Sequence, residues 1–214
     1  MDTVIGTSLA IIGNLILWPA WEIQNIQVTL KETMEGNRKY FEEIVKLYIN
    51  KDEDTSEYKM ARKKAFLKMS NLNAAFQRMT QEPKSQRQNL EKFYEMVELN
   101  HTFLSSLASL GSYILNNPTT PASENFKLVT SVIVENLTSC ETILTHQFTT
   151  GIPSKISEED VFESTFGKIS IFDDKSITPG DFDQIEEAHL IREQLKWLLA
   201  MSEKMPKLLF EIPV

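Results

Sequence analysis

One cysteine in 214 residues, Cys140, excludes an internal disulfide and any multi-cysteine zinc site, and it points to a reducing compartment. Glycine and proline are also scarce, at seven and eight, which argues against a many-stranded sandwich or barrel. There is no glycine-rich phosphate loop, no Gly-x-Ser-x-Gly elbow, no Walker motif and no internal repeat, so catalysis has no visible foothold and no cofactor is expected. Positive charge is in deficit. Thirty acidic against twenty-two basic side chains give a net charge of −8, which disfavours a general nucleic-acid binder because phosphates are repelled overall. What remains is a helical composition, 42% hydrophobic and 24% charged, of a length that fits one domain with at most a short appendage.

From Thr3 to Trp21 the chain runs nineteen residues without a charge, close to the roughly 20 that a helix needs to cross about 30 Å of hydrocarbon. Gly6, Thr7, Ser8 and Gly13 are small residues of the kind that let membrane helices approach closely, and Trp18 and Trp21 bracket Pro19 as an interfacial aromatic pair would. A secretory signal peptide fits poorly, because only Met1-Asp2 precedes the run and bulky residues follow it. A buried core helix would have to bury the Asn14 amide. The reading is a terminal part of a transmembrane helix over residues 1–21 and a helical domain over 22–214. Lys31, Arg38 and Lys39 after the span favour a cytoplasmic position for that domain.

The domain reads as all-α, an antiparallel bundle of about five long helices. Ile26, Leu30, Met34, Phe41, Ile44, Val45 and Tyr48 form one stripe between Glu22 and Asn50. Tyr58, Ala61, Ala65, Met69, Leu72, Phe76 and Met79 form the next, over Glu57 to Gln81, with Thr55 or Ser56 as its cap and Pro83 as its stop. A third helix is expected from near Ser85, with Leu90, Phe93, Val97, His101, Leu104, Ala108 and Leu115 inward. A fourth opens at Pro121-Ala-Ser123 and buries Phe126, Val129, Ile133, Leu137, Cys140, Leu144 and Phe148. Residues 150–180 read as an irregular acidic loop with tucked aromatics. The last helix, Asp181 to about Leu209, carries Ile185, Ala188, Ile191, Leu195, Leu198, Leu199 and Met205.

Three runs carry a resemblance: Tyr58-Lys-Met-Ala-Arg-Lys-Lys-Ala65, Asn71-Leu-Asn-Ala-Ala-Phe-Gln-Arg-Met-Thr-Gln-Glu-Pro-Lys-Ser85 and Val97-Glu-Leu-Asn-His-Thr-Phe-Leu-Ser105. Together they resemble the soluble region of bacterial fusaric-acid-resistance-like (FUSC, YccS/YhfK-type) inner-membrane proteins. Asp2-Thr-Val-Ile-Gly6 with Leu17-Trp-Pro-Ala-Trp-Glu22 is similar to the end of that family's last membrane helix. The resemblance covers about residues 2 to 116 and is loose beyond. It implies a carboxy-terminal fragment, or separately encoded piece, of an efflux protein for aromatic acids and related organic anions, with a structural, oligomerising or gating role and no enzyme activity. The implied partners are the membrane bundle of the same transporter or a like subunit in a homo-oligomer. Transport by this chain alone is excluded, since one helix cannot enclose a polar path through lipid. The alternative reading is a soluble helical protein–protein interaction module whose first segment is a core helix.

Charge is polarised along the sequence. Nine basic residues face three acidic ones between Glu57 and Lys92, whereas Glu158 to Glu187 holds ten acids and two lysines. Arg62, Lys63, Lys64, Lys68, Arg78, Glu82 and Lys84 are therefore the candidate docking or lipid-facing residues, either solvated helix faces or a surface for anionic lipid headgroups or for the acidic stretch. Arg78 and Glu82, an i,i+4 pair at a helix end held by Pro83, read as a docking corner. His101, His146 and His189 lie in three different helices without the i,i+3 or i,i+4 partners of a di-metal bundle, so no metal site is expected. Cys140 on an apolar stripe reads as an inert buried thiol. Asn100-His-Thr102 and Asn136-Leu-Thr138 match the glycosylation sequon but fall inside helices.

Overall fold

The computed structural model describes residues 6–7, 21–50, 54–81, 89–117, 121–150 and 182–212. Five helices make up the domain: α1 (Trp21–Ile49), α2 (Ser56–Gln81), α3 (Leu90–Asn116), α4 (Glu124–Thr150) and α5 (Phe182–Phe210). The described part is all-α, as the periodicity predicts. Among the described residues no helix is long and apolar enough to cross a membrane. The candidate span lies outside them apart from Gly6, Thr7 and Trp21, and so does the acidic loop over 151–181.

The apolar stripes meet in one core. On α1, Ile26, Leu30, Met34, Tyr40, Phe41 and Ile44 are almost wholly withdrawn from solvent, the arrangement expected when side chains three and four apart share a helix face. α1 packs on α2, α3 and α4, while α3 packs on α1, α2 and α5, so these two helices form the middle, with α2 on one side and the α4–α5 pair on the other. Gly36 lies where α1 approaches α2, and a Cβ there would meet the Ala65 Cα at 3.4 Å, an ordinary contact, whereas a Cβ at Gly111 of α3 would clash with the Tyr58 hydroxyl at 2.6 Å.

Pairings across the seams give the helix directions. Tyr40 meets Tyr58 and Glu32 meets Lys68, so α2 runs against α1. Phe76 meets Tyr94, and Tyr58 lies over Gly111, so α3 runs against α2. Tyr48 stacks on Phe126 and Arg38 reaches Glu141, which sets α4 against α1. Lys92 pairs with Glu211 and Glu95 with Lys204, which sets α5 against α3. α4 and α5 are therefore parallel neighbours, and no tight turn can join them. The first four helices are antiparallel neighbours along the chain, as their short connections lead one to expect.

Three local expectations change. Asn89 has φ 58°, a left-handed conformation that a right-handed helix cannot pass through, so α3 begins at Leu90 and not near Ser85. His101 and Leu115 are exposed, whereas Asn100 and Ile114 are buried, so the inward stripe of α3 sits one residue earlier at those turns. The side-chain acceptor at the start of α2 is Asp54, which takes hydrogen bonds from the Ser56 amide at 3.0 Å and its hydroxyl at 2.8 Å. Ser123 caps α4 as its sequence suggests, accepting from the Phe126 amide at 3.1 Å.

Candidate functional site

α2 is a peripheral helix held on one side by α1 and α3, so its opposite face is left to solvent. Lys59, Lys63 and Lys64 lie there, and Arg62 stands at its edge, all exposed. Met60, Phe66 and Leu67 stand among them, 50%, 45% and 58% exposed. At helical spacing, Met60, Lys63 and Leu67 form the middle of the outer face, with Lys59 and Lys64 on its flanks. The Arg62 guanidinium sits 5.8 Å from the Phe66 ring centroid, a cation–π approach that fixes both side chains at the rim.

Many lysines and arginines elsewhere are consumed by the fold. Arg38 binds both Glu141, at 2.7 Å, and Glu42, at 2.8 Å, and these bonds push its already high pKa further up. Lys39, Lys46, Lys92, Arg192, Lys196 and Lys204 each have a carboxylate partner. Lys68 is one of the expected docking residues, and it too is drawn inward, with its ammonium on Glu32 and its stem beside Gly36. Lys59, Lys63 and Lys64, by contrast, enter no salt bridge among the described residues, although, behind the Ser56 hydrogen bonds, Lys59 helps to lower the pKa of Asp54, and Arg62 lies against the Phe66 ring.

The expected set of seven thus divides. Arg62, Lys63 and Lys64 cluster near the start of α2, and Lys68 serves the α1–α2 seam. Arg78 lies fifteen residues beyond Lys63, about 22 Å along the helix at 1.5 Å per residue. It occupies the end of the bundle at which α1 begins, because α1 and α2 run in opposite directions. Glu82, Lys84 and Trp18 lie outside the described residues, and Trp21 opens α1. Sequence reasoning missed Met60, Phe66 and Leu67. The available signal was a second apolar repeat, Met60 to Leu67, one heptad apart and opposite the buried stripe.

His101 is exposed on α3, and His189 on α5 has Arg192 Nη2 2.8 Å from its Nδ1. Among the described residues no three metal-ligating side chains converge. The Cys140 thiol is wholly buried, and desolvation pushes its pKa well above the ordinary thiol range.

Comparison with known proteins places these features in context. No protein-family profile matches the chain, and no solved structure matches it. Inner membrane protein YccS of Escherichia coli K12 is 30% identical over 120 residues, which is 55% of this chain and 17% of that protein. An uncharacterised protein of Haemophilus influenzae is 25% identical over 114 residues, 53% of this chain and 16% of its own length. The chain thus spans less than a fifth of the curated relatives it matches. Over about half its length it is similar to a YccS-type inner membrane protein, which supports the fusaric-acid-resistance-like resemblance carried by its α2 and α3 motifs.

Proposed function

We propose that this chain is the cytoplasmic helical domain of a YccS-like inner-membrane transporter, tethered by residues 1–21 as the end of a membrane helix. Its role is structural, oligomerising or gating, without catalysis. The observation that carries the reading is the 30% identity to an inner membrane protein over 120 residues. The uncharged run ending at Trp21 leads without a gap into α1, the helix that touches three of the other four. A displacement of the membrane segment would reach the whole core through that helix. The cargo implied by the resemblance is aromatic acids and related organic anions.

Arg78 supports the same picture, because the antiparallel α1–α2 pair brings it to the end of the domain where α1 begins. Its candidate partners are the membrane bundle of the same transporter or a like subunit. The test is export of an aromatic acid by cells making the complete transporter, with and without Arg78→Ala. Reduced export with the domain still helical supports the reading, and unchanged export opposes it.

A further inference from the structure

The outer face of α2 combines two features, a cluster of cations and a cluster of large exposed apolar side chains. Among the described residues its lysines enter no salt bridge, although the chain as a whole carries net charge −8. Its large apolar side chains Met60, Phe66 and Leu67 are half exposed within eight residues, with no described helix packed over them. An acidic solute would need only the cations. A hydrocarbon interior would need only the apolar groups. The headgroup region of an anionic bilayer satisfies both at one depth: apolar side chains enter the acyl boundary while the long lysine stems carry their ammonium groups up to the phosphates.

We infer that the amino-terminal half of α2, through Lys59, Met60, Arg62, Lys63, Lys64, Phe66 and Leu67, docks against the anionic surface of a lipid bilayer. The inference rests on the membrane-attached reading above and adds the face by which the domain meets the membrane. It also sets the domain's posture. The docking face begins at the end of α2 that lies farthest from Trp21, so docking lays the bundle along the surface.

The experiment uses the full chain reconstituted in vesicles, with Leu67→Cys carrying a nitroxide label. Cys140 is buried, so labelling is confined to position 67. Collision with oxygen, which concentrates in lipid, is compared with collision with a water-soluble nickel chelate. In vesicles containing phosphatidylglycerol the label is expected to be oxygen-accessible and shielded from nickel. In pure phosphatidylcholine it faces nickel. Changing Lys59, Lys63 and Lys64 together to Gln should shift it to nickel even with phosphatidylglycerol, since each basic residue near an anionic leaflet strengthens partitioning about five-fold. A label at Ser105→Cys, on the exposed side of α3, should face nickel throughout.

Nickel access at position 67 in phosphatidylglycerol overturns the inference, and so does oxygen access that ignores lipid charge. Shielding from both reagents in lipid and in detergent alike also overturns it, because a protein surface would then cover the face. A label at Ile12→Cys reads the anchor separately. Lipid exposure at position 12 with water exposure at position 67 removes the docking and leaves the tether, whereas water exposure at position 12 removes the tether itself.

Discussion

Asn37 of α1 donates its side-chain amide to the Asn100 Oδ1 of α3 across 3.1 Å, at a point where neither residue has any exposed surface. Asn100 passes its own amide hydrogen to the Met96 carbonyl at 2.9 Å. The Asn37 Oδ1 has no hydrogen-bond partner among the described residues. The bond links the two helices that cross the middle of the bundle, where an amide is matched in only one register. Asn37→Ala or Asn100→Ala strands the other buried amide and should lower stability by about 1–3 kcal/mol. Replacing both with Ala should cost less than the two single changes added together. Urea denaturation of the four proteins, read as a double-mutant cycle, checks this.

Gly111 and Tyr58 form a second such relationship. A Cβ at position 111 would lie 2.6 Å from the Tyr58 hydroxyl, which itself stands 3.2 Å from the Tyr40 hydroxyl. Helix propensity alone would make Gly111→Ala favourable by about 1 kcal/mol. Overpacking a buried ring opposes that with about 1–3 kcal/mol. We expect a net loss of stability in the wild-type background and a gain when Tyr58 is also Ala, a change of sign that thermal denaturation resolves.

Ion pairs should differ by their surroundings. Arg38 holds Glu141 through two nitrogens in a half-buried seam, whereas Lys39 and Glu35 are both more than 40% exposed. Arg38→Met is expected to cost about 1–3 kcal/mol, as for a hydrogen bond to a charged group, and Lys39→Met no more than about 0.5 kcal/mol. Equal costs in urea titrations would contradict the seam's role.

Acid should destabilise the domain through identifiable groups. Glu35 is held below its ordinary pKa by the hydrogen bond from Lys39, Asp54 by Ser56, Glu95 by Lys204 and Glu193 by Lys196. A carboxylate lowered in the folded state contributes stability above its unfolded pKa and loses it as the pH falls through the folded value. The urea midpoint should therefore hold near neutrality and decline below about pH 4.5. Glu203 acts in the opposite sense, because burial raises its pKa and its charged form is disfavoured. Glu203→Gln should raise the midpoint at pH 7 and leave it unchanged at low pH.

The sequence made most of the core legible, because α1, α2, α4 and α5 bury apolar residues at regular spacing and the pattern needs no knowledge of partners. It failed where burial depends on a distant residue. Asn100 reads as a surface amide because its partner Asn37 is 63 positions away, and taking it as polar pushed the α3 stripe onto His101. Asn136 is the same case, donating to the Ser202 hydroxyl at 3.0 Å between α4 and α5. The parallel α4–α5 pair has no local signature either, since direction is set by pairings such as Lys92 with Glu211. At the candidate site the charge of α2 was legible. The loss of Lys68 to Glu32, and the apolar residues standing among the exposed cations, required the neighbouring helices to be in place.

Membrane fractionation tests the account most directly. The full chain is expressed and washed in alkaline carbonate, beside a version starting at Glu22. The account predicts that the full chain stays with the membrane until detergent is added, while the shorter one is released. Recovery of the full chain as a monodisperse species without surfactant would contradict it.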